Sequence, residues 1–256
     1  MHTLLFALFG LSSGELAALV SANLTYIGFT FVPPVLWLLF CLREDIHSEP
    51  KRLLLLAFLG GIGAALAAVI AEVLLLGDPN GTLSLQAQPA RDVLLTFLAI
   101  GFIEEYAKYL PVKFLILRRP DFDEPIDAMI YMITSALGFA AIENALFLLP
   151  VFHQSLYAGF RIETSRFLGA NLLHALSSGI VGFSLARAWF HPRRKHVIAL
   201  GIILAALLHA GFNYFILAQD TVEQATFYIV LLLSLMAIVV LVDFERLKKS
   251  DIDLKN

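Results

Sequence analysis

The chain has 256 residues, of which 59% are hydrophobic and only 15% charged, and its formal net charge is −3. This composition excludes an ordinary soluble domain and is typical of a polytopic membrane protein. No basic, aromatic-interleaved patch indicates nucleic-acid binding, and the single Cys41 can form neither an internal disulfide nor a cysteine-rich metal site.

Apolar stretches of about 20 residues recur along the chain, the length that a helix needs to cross a hydrocarbon core of about 30 Å. The sequence therefore predicts an all-α integral membrane protein, with one polytopic domain over residues 1–256 and about eight transmembrane helices. Ser12, Ser13 and Glu15 interrupt the first stretch, for which a signal peptide is the alternative, although no basic n-region precedes it. The predicted spans are roughly 3–22, 24–42, 52–76, 93–117, 126–151, 166–189, 197–218 and 224–243.

Lysine and arginine residues predict the orientation of these spans. Fourteen of the eighteen lie in the connections 43–52, 118–125 and 190–196, in the C-terminal segment or at the adjoining helix ends. The side rich in basic residues is the cytoplasmic one. We therefore expect a multi-pass protein of the plasma (inner) membrane with both termini in the cytoplasm.

The third and fourth spans contain buried acids. Glu72 stands alone in the third span, where helix packing or a place near the interface is more typical than chemistry. The fourth span contains Glu104, Glu105 and Lys108, although a charge near the bilayer centre costs about 2.5–3.5 kcal/mol. Glu104 and Lys108 lie four residues apart and can pair, whereas Glu105 turns about 100° away and is expected to lack a local partner. Adjacent carboxylates in a low dielectric rarely both ionise, so one of them suits a general base or a proton carrier.

The next three spans add amide, imidazole and carboxylate groups. They contribute Glu143 and Asn144, then Asn171 and His174, then His209 and Asn213. Ser177 and Ser178 follow one turn after His174, and without a nearby base pattern they are expected to be small packing residues.

The depth of these side chains predicts that they form one layer. At 1.5 Å per residue, Glu143, His174 and His209 lie about 12–14 Å below the external surface, and Glu104 and Glu105 about 17 Å below it. Such a layer could bind Zn²⁺ or activate a water molecule directly. A proton-coupled transporter or channel that uses the same groups as a relay is the alternative.

Four short motifs on consecutive spans resemble those of the PrsW family of intramembrane proteases. They are Glu-Glu-x-x-Lys at 104–108, Phe-x-x-x-Glu-Asn at 139–144, His-x-x-x-Ser at 174–178 and His-x-x-x-Asn at 209–213. The chain is more distantly similar to the CAAX-prenyl endopeptidase and bacteriocin-processing superfamily. There an arginine typically stands one residue after the position of Lys108, and a histidine stands in the place of Glu143; both departures are typical of the PrsW branch.

The resemblance implies a metallo- or glutamate-type intramembrane protease that cuts a membrane-anchored protein substrate. The depth of the polar layer predicts that the cut lies near the external face of the lipid bilayer. The best-known role in that family is site-1 cleavage of an anti-sigma factor in regulated intramembrane proteolysis, which makes such a protein a candidate substrate. No nucleic-acid partner is expected.

The resemblance also implies roles for individual residues. Glu104 or Glu105 would activate water, Asn213 would stabilise the oxyanion, and Lys108 would neutralise the buried acids. The two histidines would orient the water or coordinate a metal, and Glu143 would be a further ligand or would orient a histidine. The expected catalytic residues are Glu104, Glu105, His174, His209 and Asn213; the supporting residues are Lys108, Glu143 and Asn144; and the ligands, where zinc is bound, are Glu143, His174 and His209.

Overall fold

A computed structural model describes residues 13–45, 47–76, 90–189 and 193–255. These ranges form helices and turns and contain no strand. A π-helical turn, Val112–Ile116, follows the third helix, and a 3₁₀ turn, Ala218–Asp220, follows the seventh. The α-helices of the described ranges are α1 (Ser13–Cys41), α2 (Lys51–Leu76), α3 (Ala90–Pro111), α4 (Asp127–Gln154), α5 (Leu156–Leu168), α6 (Ala170–Trp189), α7 (Arg194–Leu217) and α8 (Ala225–Lys255).

Within the described ranges, six segments are long and apolar enough to cross a membrane. They lie in α1, α2, α4, the joined α5 and α6, α7, and α8. Helix α3 is not among them, because its 22 residues include Glu104, Glu105 and Lys108. The predicted all-α membrane protein is confirmed, and the helix that lacks a simple apolar profile is the one that contains the acidic pair.

Two predicted boundaries differ from the structure. The first two spans were expected to separate near residue 23, but α1 is continuous from Ser13 to Cys41 and also contains Pro33 and Pro34. Residues 1–12, and with them half of the first predicted span, lie outside the described ranges. No glycine or proline stands near residue 23 to end the helix. The predicted external connection 152–165 is largely helical, because α5 fills it and ends at Gly169.

Helix α4 lies at the centre of the bundle. It packs against α1, α2, α5 and α6, while α3 packs against α2 and α7. The backbones of α2 and α4 almost touch: a Cβ atom on Gly61 would lie 1.8 Å from the Ser135 carbonyl oxygen, and one on Gly138 would lie 2.0 Å from the Phe58 carbonyl oxygen. Glycine on both helices therefore permits the close approach of α2 and α4.

The loop between α1 and α2 is joined to the start of α4 by carboxyl groups. Tyr131 donates a hydrogen bond to Glu49, and Asp127 accepts hydrogen bonds from the backbone N–H groups of Asp123 and Glu124. Glu49 is 7% exposed, and burial raises its pKa above the ordinary value for a glutamate. This buried contact fixes one end of α4 relative to α2.

Candidate active site

The fourth predicted span, now α3, supplies two carboxylates and one ammonium group to the interior. The Lys108 side chain is fully buried and donates to Glu105 Oε1 at 2.8 Å and to Glu104 Oε2 at 3.4 Å. The prediction that Glu105 would lack a partner on its own helix is therefore wrong. A flexible lysine reaches the carboxylates both three and four residues before it.

Glu105 is bound on both carboxylate oxygens by side chains from other helices. His209 Nδ1 of α7 lies 2.9 Å from Oε1, which also accepts from Ser177 Oγ at 2.9 Å. The other oxygen accepts from Ser178 Oγ at 3.2 Å. Ser177 and Ser178 were predicted to be packing residues; they are instead hydrogen-bond donors to a buried charge, which needs such donors in the absence of water.

His174 of α6 bridges the α3 cluster to α4. Its Nδ1 lies 2.7 Å from Lys108 Nζ, and its Nε2 lies 2.6 Å from Glu143 Oε2. Because an ammonium group has only donors, Nδ1 accepts from Lys108 and Nε2–H donates to Glu143. The rings of His174 and His209 are 5.2 Å apart, so the two imidazoles belong to one site.

A second network holds Glu143 in place, and it centres on Arg166 of α5. Arg166 Nη2 lies 3.3 Å from Glu143 Oε2, and Arg166 Nε donates to Asn144 Oδ1 at 2.6 Å. Asn144 Nδ2 donates to Asn171 Oδ1 at 2.9 Å, and Asn171 Nδ2 returns a bond to the Arg166 carbonyl oxygen at 3.0 Å. No motif in the sequence indicates this role of Arg166, because it depends on α5 lying against α4.

Glu72 was also missed as a neighbour of this site. It is 1% exposed, and its Oε2 atom has no hydrogen-bond partner among the described residues. Glu143 and Lys108 are near enough to affect the Glu72 carboxyl group electrostatically. The lone acid of the third span therefore faces the polar interior rather than the membrane interface.

A cavity of about 380 Å³ reaches these groups from the surface of the bundle. Glu143, His174, His209 and Asn213 line it. Asn213 follows His209 by one helical turn, so both side chains are directed to the same space. Glu104 is 4% exposed and Glu105 is fully buried. A substrate in the cavity would thus meet the imidazoles and Glu143 before the acids of α3.

Glu104, His174 and His209 form a group that could hold a metal ion. One ligand atom from each lies within 4.8 Å of the others, and all three residues are buried. His209 Nε2 and Glu104 Oε2 are 3.6 Å apart, close to the separation of about 3.3 Å for two ligands of one tetrahedral zinc ion. This group contains Glu104 where the sequence prediction named Glu143.

The hydrogen bonds of the two histidines also fit a metal site. His209 can donate Nδ1–H to Glu105 and His174 can donate Nε2–H to Glu143, which leaves His209 Nε2 for an ion. Histidine ligands of metals usually donate their other N–H group to a carboxylate in this way. His174 Nδ1 becomes available only when Lys108 gives up its contact. Two nitrogens and one carboxylate oxygen are ligands that Zn²⁺ accepts.

Comparison with known proteins gives the same family throughout. The profile described as "PrsW family intramembrane metalloprotease" matches residues 49–242. Protease PrsW of Geobacillus kaustophilus (strain HTA426) is 29% identical over 182 residues, which cover 71% of this chain and 74% of the relative. Protease PrsW of Bacillus subtilis (strain 168) is 27% identical over 184 residues, covering 70% and 76%. No solved structure matches the chain significantly.

Proposed function

The chain belongs to the PrsW family and is an intramembrane protease, and we propose that it cuts membrane-anchored proteins near the external face of the plasma membrane. The observation that carries this proposal is the buried Glu104, His174 and His209 group beside a cavity whose lining includes both histidines. A proton relay would need the same acids and histidines, but membership in a protease family favours hydrolysis. An anti-sigma factor with one membrane span is a suitable first substrate to test.

Glu104, His174 and His209 are the proposed ligands of a zinc ion. When bound, zinc would supply Lewis-acid polarisation of the scissile carbonyl group and activation of water. Glu105 orients His209, and Glu143 orients His174, each through one ring nitrogen. Lys108 supplies one positive charge beside the two α3 carboxylates, Glu104 and Glu105.

The remaining protein groups act on the substrate and on protons. The sequence left open whether Glu104 or Glu105 activates water. Glu105 is unsuited to that role because Lys108 and three other donors occupy its oxygens. Glu143 lines the cavity, and its side chain is 19% exposed; it takes the proton of the attacking water. Asn213 donates its amide N–H to the developing oxyanion.

The topology is proposed from helix direction and basic residues. Helices α1–α4 and α6–α8 cross the membrane, with α5 near its external surface and the C-terminal end of α8 in the cytoplasm. The eight crossings and two cytoplasmic termini expected from the sequence need a turn near residue 23, where α1 is continuous. The crossing helices are taken as one membrane domain.

Substitution of Glu104, with an exposed carboxylate of α3 as the control, tests the proposed ligand set. Glu104→Gln should lose both zinc and cleavage of a reconstituted membrane-anchored substrate while the protein stays folded. Asp92→Asn, at an exposed carboxylate on the same helix, is the matched control and should retain both. A Glu104→Gln variant with wild-type zinc content and cleavage would contradict the proposed ligand set.

A further inference from the structure

The cavity has a buried inner end and an exposed outer rim. At the inner end, His174 and His209 are 1% and 2% exposed. At the rim, four large apolar side chains are 41–60% exposed. We call them the apolar rim; they are Phe147, Leu168, Ile216 and Val230.

The apolar rim indicates what lies outside the cavity. Its residues come from four helices, α4, α5, α7 and α8. In a membrane protein, exposed apolar side chains of this size face lipid, whereas an opening to water would have a polar margin. Ser165 and Gln219 also line the cavity and are exposed, so a small part of the margin is polar.

Helices α5 and α8 lie on either side of this opening. Both line the cavity, through residues such as Ile162 and Leu233, yet they make little direct contact with each other. Other neighbouring pairs, such as α4 with α6 and α3 with α7, are extensively packed. The cavity therefore lacks, between α5 and α8, the close helix packing found elsewhere among the described helices.

From this arrangement, and resting on the proposed function, we infer that substrates enter sideways from the bilayer between α5 and α8. The substrate class is a membrane-anchored chain with an apolar segment directly beside the cleaved bond. That segment packs against the side chains of the apolar rim, and van der Waals contact holds it there, because transfer from lipid to protein provides no hydrophobic driving force. The neighbouring peptide bond is extended into the cavity, because a helical peptide bond is shielded by its own hydrogen bonds.

Two substitutions that narrow the opening test this access route. Val230→Trp and Ile216→Trp add bulk at the rim without touching the catalytic groups. Leu231→Trp and Leu217→Trp are matched controls, because those residues are exposed apolar neighbours on the same helices. The rim variants should lower kcat/KM for a membrane-anchored reporter at least tenfold, and the controls should stay within twofold of wild type, all with unchanged zinc content and thermal midpoint.

The outcomes separate this inference from the proposed function. Rim variants that cleave at the wild-type rate would overturn the access route and leave the protease assignment intact. A zinc-loaded wild-type protein that cleaves no membrane-anchored reporter would refute the proposed function, and the access route with it. Should the tryptophan variants not fold, Val230→Cys in a Cys41→Ser background can be labelled after purification with a bulky maleimide. Leu231→Cys, labelled in the same way, is then the control. Loss of cleavage only in the labelled Val230→Cys variant supports the access route, and wild-type cleavage in both labelled variants overturns it.

Discussion

Replacement of Lys108 by methionine is expected to destabilise the bundle strongly. The ammonium group is fully buried and lies 2.7, 2.8 and 3.4 Å from His174, Glu105 and Glu104. Methionine fills similar space but leaves two buried carboxylates without their cation. Breaking a buried pair by removing one partner costs about 3–5 kcal/mol, which we expect as the loss in free energy of unfolding.

Lys248→Met is the matched control for this change. Lys248 is paired with Glu44 at 2.6 Å and Glu245 at 2.9 Å, but its side chain is 24% exposed. A pair of this kind contributes about 0–1 kcal/mol. The two lysine variants should therefore differ by roughly 3 kcal/mol.

Unfolding by sodium dodecyl sulfate in mixed micelles, followed by circular dichroism, measures both losses. The double variant Lys108→Met/Glu105→Gln should lose less stability than the sum of the single changes, by about 0.5–3 kcal/mol. A Lys108→Met cost below about 1 kcal/mol, equal to that of Lys248→Met, would refute the counter-charge role. Losses of the two single variants that add up fully in the double variant would also refute that role.

Three further predictions follow from packing, positioning and protonation. Gly138→Ala should lower the free energy of unfolding by about 1–3 kcal/mol, because the added methyl group would clash with the α2 backbone. Gly63→Ala, at a position with open space around it, should leave the free energy of unfolding nearly unchanged in the same thermal or detergent unfolding assay. Arg166→Gln should reduce cleavage about tenfold or more, because it removes the ion pair with Glu143, the carboxylate that contacts the proposed metal ligand His174. Arg166→Lys should restore part of the rate, and a wild-type rate in Arg166→Gln would contradict this role. Burial raises the pKa of Glu49 in the folded state above its unfolded value. The free energy of unfolding should therefore increase as pH falls from the raised pKa towards the ordinary value of about 4.5. Glu49→Gln should flatten this part of the plot of unfolding free energy against pH, and an unchanged plot would exclude Glu49 as the cause.

Motif spacing predicted which helices contribute side chains to the buried polar cluster. Hydropathy located α2, α3, α4, α6, α7 and the start of α8 within a few residues. The polar residues in those runs were expected to share one layer, and the structure does bring Glu104, His174 and His209 within one cluster. The clustering could be predicted because a charge in an apolar helix needs a buried partner, and because the helical rise per residue gives the depth of each side chain.

The partners of each charge could not be predicted in the same way. Hydropathy gives the depth of a residue but not the rotation of its helix or the identity of its neighbours. Ser177 and Ser178 meet Glu105 only because α6 packs near α3. Arg166 reaches Glu143 because α5 lies against α4, and Glu72 joins the site because α2 turns that face inward. These contacts depend on how the helices pack, and no local sequence pattern predicts them.

The central claim is that Glu104, His174 and His209 hold the metal of an intramembrane protease, and zinc content per chain tests it most directly. Mass spectrometry of the purified protein should find about one zinc per chain, lost in His209→Ala and retained in Asn213→Ala. Chelation should abolish cleavage, and zinc should restore it. Metal-free protein that cleaves its substrate at the full rate would contradict the claim.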